Sequence, residues 1–452
     1  MRRTTLSCAA AGLAALCLTQ AVAAQTQRTP EERARQIVAW VLAEDYEGLF
    51  QAFDPHMRQL LPVEKLASQI GPAVRQFGRR LENGQPRTTK VAGNTVVVLP
   101  VEFASAWINF VVSLNEAGQV SGLFMQPGQP PASAWVRPAY SRPETFTERE
   151  VTFGADQWKL PGTLTLPRSA SPVPAVVLVH GSGPNDRDET ILGNRPFRDL
   201  AEGLASRGVA VLRYEKRTKV YGAKMAQMKN LTVREETVED AVRAVDSLRG
   251  QPEIDAKRVF VLGHSLGGYL LPMILEQSRK AAGGIALAGS TRPLEDLVLE
   301  QMEYLIPIQT AGSEEAKKEG QKKLDETRQT VAAIKALEAG KHRSEADVPP
   351  LMGMPAHYLA ALRGYNPPAV AAGLHRPLLI LQGERDYQVS MRDFANWKDA
   401  LGARKDVTLK SYPALNHLFI EGTGKSTPVE YAKPGHVSVS VVDDIARWVL
   451  AQ

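Results

Sequence analysis

The chain has 452 residues, of which 44% are apolar and 23% are charged, a balance typical of a folded globular protein. A chain of this length exceeds the usual range of one hydrophobic core, so we expect two domains. The formal net charge is +5, and loss of Arg2 and Arg3 with a cleaved leader would lower it to +3. So small and dispersed a charge argues against nucleic acid as a partner.

Residues 1–24 are predicted to be a secretory signal peptide. A pair of arginines precedes the short apolar run LSCAAAGLAALCL, and small residues follow at positions 21–24. We therefore expect export to the periplasm or secretion from a bacterium, without a stable membrane anchor, because the run is too short to span a bilayer. Cys8 and Cys17 both lie in this leader, so the mature chain would have neither a disulfide nor a cysteine nucleophile.

Residues 25–127 are predicted to form an α+β domain. The segment TPEE at positions 29–32 has the pattern of a helix start, with a capping box and a proline at the first helical position. The later segments VAGNTVVVLPVEF, AWINFVVSLN and QVSGLFMQ are typical of strands joined by short turns. Helices followed by antiparallel strands favour the α+β class. Residues 128–150, which begin with GQPP, are predicted to be a linker.

From residue 151 to 452 the pattern changes to strands that alternate with helices. REVTF and GTLTL are predicted to form an opening hairpin, and further strands are predicted at PAVVLVH, GVAVLRY, RVFVLG, GGIALAG, RPLLILQG and DVTLKSY. Near-continuous apolar runs of this kind are typical of strands buried on both faces. The fold class predicted is α/β, with a mostly parallel sheet and helices on both faces.

A long insertion, at about residues 291–368, interrupts this alternation. It is far longer than a crossover helix requires. Its middle, SEEAKKEGQKKLDETRQTVAAIKALEAGK, is rich in lysine and glutamate with a thin apolar stripe, which predicts a solvated helix.

The segment GHSLG at positions 263–267 fits the pattern G-x-S-x-G between a predicted strand and a predicted helix. In such a sharp turn the glycines avoid steric clashes, and the hydroxyl of Ser265 is lifted out of the sheet above a helix N-terminus. The alternative is a small serine in a purely structural turn. The choice depends on whether the chain also holds a base, an orienting acid and an oxyanion hole.

Candidates for the acid and the base follow two later strands. Asp386 comes after RPLLILQG, and we favour it over Glu384 because its shorter side chain lies deeper in the turn. His417 comes after DVTLKSY, where a histidine can fold back over the serine, and we favour it over His436. The carboxyl ends of parallel strands meet at one edge of a sheet, so we expect these side chains to lie together.

The segment HGSGP, at positions 180–184, is the candidate oxyanion turn. We assign the backbone N–H groups of Ser182 and Leu266 as the two donors, and an ordinary Gly-Pro turn is the alternative. His264 and His180 are interpreted as structural, and the remaining histidines lack metal-ligand spacing, so neither a metal nor a cofactor is expected.

Two further charged segments lie near these candidates. The loop NDRDE at 185–189 is interpreted as salt-bridged rather than as a cation site. Lys216 and Arg217 follow GVAVLRY, and a solvated or loop-fixing role is favoured over recognition of an acidic substrate.

The segments HGSGPNDRDE, GHSLGG, LQGERDYQV and LNHLF closely resemble secreted or periplasmic bacterial α/β-hydrolase-fold serine esterases of the EstD-like type. The resemblance covers essentially the whole mature chain and is more specific in its second half. It implies a triad of Ser265, Asp386 and His417, in the chain order usual for that fold, with Ser182 and Leu266 as oxyanion donors.

The resemblance also implies that the first domain, of unknown function, is similar to the nuclear-transport-factor-like fold. It implies that the insertion at 291–368 forms a helical cap over the serine. Residues of this insertion that could line an acyl pocket are Tyr304, Met352, Met354 and Tyr358, although such side chains are more often plain core.

The expected activity is hydrolysis of carboxylic esters, short-chain acyl esters above all, through an acyl-serine intermediate and without a cofactor. An exported peptidase or amidase of the prolyl-oligopeptidase or aminopeptidase kind is the runner-up, and a thioesterase is a further alternative. A binding module that merely kept the fold would have lost some of these residues, and none is missing. The expected partner is a small-molecule ester, and homo-oligomerisation through a binding or dimerising first domain is left open.

Overall fold

The computed structural model describes residues 28–75, 77–91, 93–103, 107–128, 135–155, 157–311, 314–336 and 348–452. The predicted signal peptide, residues 1–24, lies outside the described residues. The chain divides into two compact units, Met1–Pro131 and Ala132–Gln452. No helix among the described residues is long and apolar enough to cross a membrane.

The first unit begins with helices and ends with an antiparallel sheet. Its helices are α1 (Pro30–Leu42), α2 (Tyr46–Ala52), α3 (Pro55–Leu60) and α4 (Val63–Arg75). Its strands are β1 (Arg80–Asn83), β2 (Arg87–Val91), β3 (Asn94–Phe103), β4 (Trp107–Leu114) and β5 (Val120–Pro127). The sheet order is β1-β3-β4-β5, and β2 also pairs with β3.

The start of α1 confirms the capping box predicted at residues 29–32. The hydroxyl of Thr29 accepts from the Glu32 N–H at 3.2 Å, and the Glu32 carboxylate accepts from the Thr29 N–H at 2.9 Å. Apolar side chains of α1 pack against alternate residues of β3, such as Val97 and Leu99, to form a core of this unit. Likeness to the nuclear-transport-factor-like fold stays a prediction.

The second unit is built on a mixed sheet, in which eight strands lie within the described residues. They are β6 (Phe146–Phe153), β7 (Leu160–Pro167), β8 (Val173–Val179), β9 (Ala210–Tyr214), β10 (Ile254–His264), β11 (Gly283–Leu287), β12 (Leu378–Gly383) and β13 (Val407–Tyr412). The order is β13-β12-β11-β10-β8-β9-β7-β6. The strands from β13 to β9 run parallel, while β6 and β7 form the predicted antiparallel hairpin. The sequence prediction of a mostly parallel sheet is confirmed.

Helices cover both faces of this sheet. The α-helices described in the second unit are α5 (Pro196–Ala205), α6 (Arg217–Met225), α7 (Glu239–Arg249), α8 (Leu266–Gln277), α9 (Leu294–Gln309), α10 (Glu314–Ala336), α11 (Ala356–Ala360), α12 (Pro367–Ala372), α13 (Met391–Leu401) and α14 (Val439–Ala451). On β8, Val177 and Val179 enter one core, while Val176 and Leu178 enter the core on the other face. This alternation explains why the predicted strand is apolar throughout.

The insertion predicted at residues 291–368 contains α9, α10 and α11. Helix α10 matches the predicted solvated helix, and its thin stripe of Leu324, Val331 and Ile334 is buried. Residues 312–313 and 337–347 of the insertion lie outside the described residues.

The residues just before β6 pack on α5 within the second unit. The indole N–H of Trp135 donates to Asp199 at 2.8 Å, and the guanidinium of Arg137 donates to Glu202 at 2.6 Å. Strand β6 then begins at Phe146. From residue 135 onward, the segment predicted as a linker therefore belongs to the second unit.

Candidate active site

Ser265 lies in a strained turn between β10 and α8. Its backbone has φ 52° and ψ −113°, a conformation that is costly for a residue with a side chain. Its N–H donates to the Leu287 carbonyl at 2.9 Å, which fixes the turn against the end of β11. A Cβ on Gly263 would lie 2.1 Å from the Gly267 carbonyl oxygen, and one on Gly267 would lie 2.3 Å from the Val179 oxygen. The two glycines of the motif are therefore required by sterics.

Asp386 and His417 are joined by a buried hydrogen bond. Nδ1 of His417 lies 2.7 Å from Oδ2 of Asp386, which also accepts from the Gln382 amide at 3.1 Å. The other oxygen of Asp386 accepts from the N–H groups of Gln388 and Val389 at 2.8 and 3.0 Å. A carboxylate can only accept, so Nδ1 of His417 is the donor, and in the neutral imidazole Nε2 is free to take a proton.

One cavity, with a volume of about 730 Å³, brings the predicted residues together. Ser265 and His417 line it, and so do Ser182 and Leu266, the candidate oxyanion donors. The described residues show no hydrogen bond between Ser265 and His417. Hydrogen bonds of this kind are often long in unliganded enzymes and tighten when a substrate binds.

Hydrogen bonds hold the candidate oxyanion turn at both ends of Gly181. Its N–H donates to Oε1 of Glu189 at 2.6 Å, and its carbonyl accepts from the ammonium of Lys216 at 2.8 Å. Leu266 is the first residue of α8, so its N–H has no partner within the helix. Within the described part of the chain, the N–H of Ser182 likewise has no intramolecular partner. Both candidate donors are thus free to bind an oxygen in the cavity.

A buried ion pair lies directly behind this turn, and sequence reasoning missed it. Nδ1 of His264 lies 2.9 Å from Oε2 of Glu189, and Nε2 of His264 lies 3.0 Å from the His417 carbonyl oxygen. The carbonyl can only accept, so Nε2 of His264 donates to it, and a second proton on Nδ1 makes the ring an imidazolium that faces the Glu189 carboxylate. The pair therefore links the candidate oxyanion turn to the backbone of His417.

The two charges of this pair stabilise each other. Burial alone would lower the pKa of His264, but the charge and contact of Glu189, the His417 carbonyl and the charge of Asp386 together outweigh it, and the pKa is raised. Burial alone would raise the pKa of Glu189, but the charge and contact of His264, the nearby His180 and the Gly181 N–H together outweigh it, and the pKa is lowered. His264, which was interpreted as structural, thus has a structural role that depends on its charge.

A second buried ion pair holds the carbonyl side of the turn. The Lys216 ammonium lies 2.6 Å from Oε1 of Glu236, and its side chain is only 2% exposed. Glu236 also accepts from the hydroxyl of Tyr358, which lies in the insertion. The sequence favoured either a solvated or a loop-fixing role for Lys216. Its side chain is buried and binds the loop, so the loop-fixing role is the one observed.

The cavity wall is largely aliphatic. Met352, Met354 and Tyr358 line it as predicted, together with side chains that sequence reasoning did not single out, namely Met225, Leu231, Leu294, Leu297 and Val298. Tyr304 was predicted here too, but it stacks on Tyr387 at 5.2 Å instead and donates to the Ser426 carbonyl at 2.9 Å. No lysine or arginine side chain is among the described residues that line the cavity.

The rival candidates lie elsewhere. His436 pairs with Asp199, with Nδ1 at 3.2 Å from the carboxylate, and does not line the cavity. Glu384 accepts from the hydroxyl of Ser411 at 2.8 Å. His180 is buried, and burial lowers its pKa to about 4, so it is neutral near pH 7.

The charged loop at residues 185–189 is salt-bridged, as expected. Arg187 pairs with Glu150 at 2.7 Å and with Glu215 at 2.8 Å, and Asp188 pairs with Arg213. In the described part of the chain, no three histidine, cysteine, aspartate or glutamate side chains cluster in a way that could hold a metal ion.

The sequence profile of the alpha/beta hydrolase family matches residues 176–436. This chain belongs to the α/β-hydrolase family. Esterase EstD of Thermotoga maritima is 37% identical to it over 423 residues, which is 93% of this chain and 95% of EstD. The family and the α/β-hydrolase fold implied by the sequence motifs are therefore confirmed.

Solved structures with this fold resemble the chain more distantly. Est1E from Butyrivibrio proteoclasticus is 15% identical, with a TM-score of 0.42, and covers 67% of this chain and 99% of its own. An acylaminoacyl peptidase from Pyrococcus horikoshii is 15% identical, with a TM-score of 0.40, and covers 76% of this chain and 53% of its own. Likenesses this weak carry no argument about the reaction.

Proposed function

We propose that the protein is a carboxylesterase that works through an acyl-serine intermediate. The observation that carries the proposal is the buried hydrogen bond between Asp386 and His417, whose imidazole shares a cavity wall with the strained Ser265. A histidine oriented by a carboxylate beside a serine in such a turn is the arrangement that activates a hydroxyl. The name of EstD, a relative over nearly the whole chain, supports the same activity.

In the acylation step, Ser265 Oγ attacks the ester carbonyl carbon while Nε2 of His417 takes its proton. The carbonyl oxygen becomes an oxyanion, which the N–H groups of Ser182 and Leu266 bind. When the intermediate collapses, the bond from the carbonyl carbon to the alkoxy oxygen breaks, and His417 returns the proton to the departing alcohol. Asp386 holds the imidazole in place and stabilises its charged form throughout.

Deacylation repeats these steps with water. His417 takes a proton from a water molecule, whose oxygen attacks the acyl carbon. The same N–H groups bind the second oxyanion, and its collapse releases the carboxylic acid and returns the proton to Ser265 Oγ. No cofactor takes part in either half-reaction.

The charge of the cavity favours a neutral ester over a peptide. Both carboxylates in its wall are already paired, Glu189 with His264 and Glu236 with Lys216. A free carboxylate to bind a peptide amino group is thus missing from the described lining, and so is a lysine or arginine to bind a terminal carboxylate. The aliphatic wall suits an apolar acyl group, and we propose a short acyl chain.

The test compares the purified mature protein with its Ser265→Ala variant. The substrates are p-nitrophenyl esters of rising chain length, a matched thioester and aminoacyl p-nitroanilides. We expect serine-dependent cleavage of the short esters and a loss of about 10⁶ in kcat in the variant. Residual activity within about tenfold of wild type would contradict the mechanism, and preferred cleavage of the anilides or the thioester would make the protein a peptidase or a thioesterase.

We also propose that the protein is exported. The arginine pair, the short apolar run and the small residues at positions 21–24 support this. After expression of the full chain in a bacterial host, N-terminal sequencing of the periplasmic fraction should give a start near Ala24 or Gln25. A cytoplasmic protein that keeps residue 1 would refute export. Homo-oligomerisation stays a prediction.

A further inference from the structure

The carbonyl bound by Lys216 and the N–H assigned to the oxyanion hole belong to one peptide group. The peptide bond between Gly181 and Ser182 carries the Gly181 oxygen on one side and the Ser182 N–H on the other. A peptide group is planar and trans, so these two groups point in nearly opposite directions. A cation held on the oxygen therefore fixes where the N–H points.

The contact with the cation is direct and buried. The Lys216 ammonium lies 2.8 Å from the Gly181 oxygen, which also accepts from the side-chain amide of Asn185 at 3.2 Å. In surroundings of low polarity, a charge-assisted hydrogen bond is roughly twice as strong as a neutral one. Hydrogen bonds in a chain also polarise one another, by about 10–30% per bond in condensed-phase estimates. The bound ammonium thus makes the Ser182 N–H a stronger donor.

Glu236 makes it possible to bury this ammonium. A buried charge without a partner is strongly unfavourable, and the carboxylate of Glu236 at 2.6 Å supplies the partner. The hydroxyl of Tyr358, in the insertion, completes the cluster by donating to Glu236. The cluster is neutral as a whole and places its positive member on the peptide oxygen.

We propose that Lys216 is a positioning residue for the oxyanion hole, and that it acts by orienting and polarising the Gly181–Ser182 peptide. The proposal rests on the function proposed above, because it takes the Ser182 N–H as an oxyanion donor. Lys216 is not among the described residues that line the cavity, so we assign it no contact with the substrate or the reacting atoms. Its effect is confined to states in which negative charge has developed on the substrate oxygen.

The decisive variant is Lys216→Met combined with Glu236→Gln, which removes both charges and leaves no buried ion without a partner. The neighbouring pair Arg217 and Asp240 provides a matched control, since both side chains are 1% exposed and neither contacts Gly181. The control variant combines Arg217→Met with Asp240→Asn. Each protein is tested for kcat and KM on a p-nitrophenyl ester. Each is also tested for the inhibition constant of an alkyl trifluoromethyl ketone, which forms an oxyanion on the serine.

We expect the Lys216 double variant to lose about 10- to 100-fold in kcat, less than the 10² to 10³ that loss of a whole oxyanion donor costs. KM should stay within about twofold, and the inhibition constant of the ketone should rise by the same factor as kcat falls. The control variant should lose stability but keep kcat and the inhibition constant within about threefold. An unchanged kcat and inhibition constant in the Lys216 variant, or equal losses in the control, would overturn the proposal.

A second double variant, Lys216→Gln combined with Glu236→Gln, provides the comparison if the first does not fold, because it too leaves no buried charge without a partner. The amide at position 216 can still donate to the Gly181 oxygen but carries no charge, so a reduced loss in the same direction is expected, and an unchanged inhibition constant would overturn the proposal. The same assays distinguish failure of the proposed esterase function from failure of the role proposed for Lys216. A wild-type protein without Ser265-dependent ester turnover refutes both proposals, whereas an active wild type matched by its Lys216 variants refutes this one alone.

Discussion

Replacing Glu189 by glutamine should destabilise the protein more at acidic pH than at alkaline pH. Glutamine keeps an oxygen that can accept from the Gly181 N–H, so the change removes mainly the negative charge that faces His264. Breaking a buried ion pair by removing one partner costs about 3–5 kcal/mol, because the other charge is left buried and alone. That cost applies only while His264 holds its second proton.

The direction of the pH effect follows from the two pKa shifts. The pKa of His264 is raised in the folded protein. The stability that the protonated ring contributes is therefore complete below the ordinary pKa of histidine, about 6.5, and is lost as the pH rises through the raised pKa. The pKa of Glu189 is lowered, so its share of the stability is lost only on acidification through that lowered value. In the variant, burial instead lowers the pKa of His264, and stability falls as the pH drops.

The assay is calorimetric Tm at about pH 5.5 and about pH 8.5, with Glu215→Gln as the control. Glu215 pairs with Arg187 in the same region but does not contact Gly181. At about 2 °C per kcal/mol for a unit of this size, the Glu189 variant should lose about 6–10 °C at the lower pH and about 2–4 °C at the higher. A loss that is equal at both pH values, or larger at pH 8.5, would refute the charged pair. The control should show a small loss that does not grow on acidification.

Three other predictions concern the proposed catalytic base, the turn and the cavity. His417→Ala should lower kcat by about 10⁴ to 10⁶, whereas His436→Ala should stay within about threefold, and the reverse result in ester assays would make His436 the base. Gly267→Ala should destabilise by about 3 kcal/mol or more, since its Cβ would lie 2.3 Å from the Val179 oxygen, and an unchanged urea midpoint would contradict this. Met354→Trp should narrow the cavity and shift kcat/KM toward shorter acyl chains, and an unchanged chain-length profile would contradict its position in the wall.

The sheet of the second unit could be predicted because its strands are buried on both faces. Runs such as PAVVLVH and RPLLILQG contain almost only apolar residues, and each became a strand of the parallel sheet. The positions of Ser265, Asp386 and His417 could be predicted for a related reason, since each follows the carboxyl end of such a strand, where parallel strands bring their loops together.

The charged groups behind the site could not be predicted in the same way. Glu189 lies 75 positions before His264, and no periodicity or spacing connects a loop residue with the end of a distant strand. The position of Tyr304, in the insertion, could not be predicted from the sequence either. Its sequence context indicates a helix, but which side of that helix faces the cavity depends on how the helix packs, and its ring stacks on Tyr387 instead. Contacts of this kind are properties of tertiary packing.

The residues from 135 to the start of β6 determine where a truncated protein that contains only the second unit can begin. A protein cut at residue 151, where sequence patterns place the start of the hydrolase domain, would lose Trp135, Arg137 and the first five residues of β6. The carboxylates of Asp199 and Glu202, both almost fully buried, would then lose hydrogen-bond partners that keep them inside the fold. A domain truncated there should be insoluble or unstable, and one that begins before Trp135 should keep these contacts.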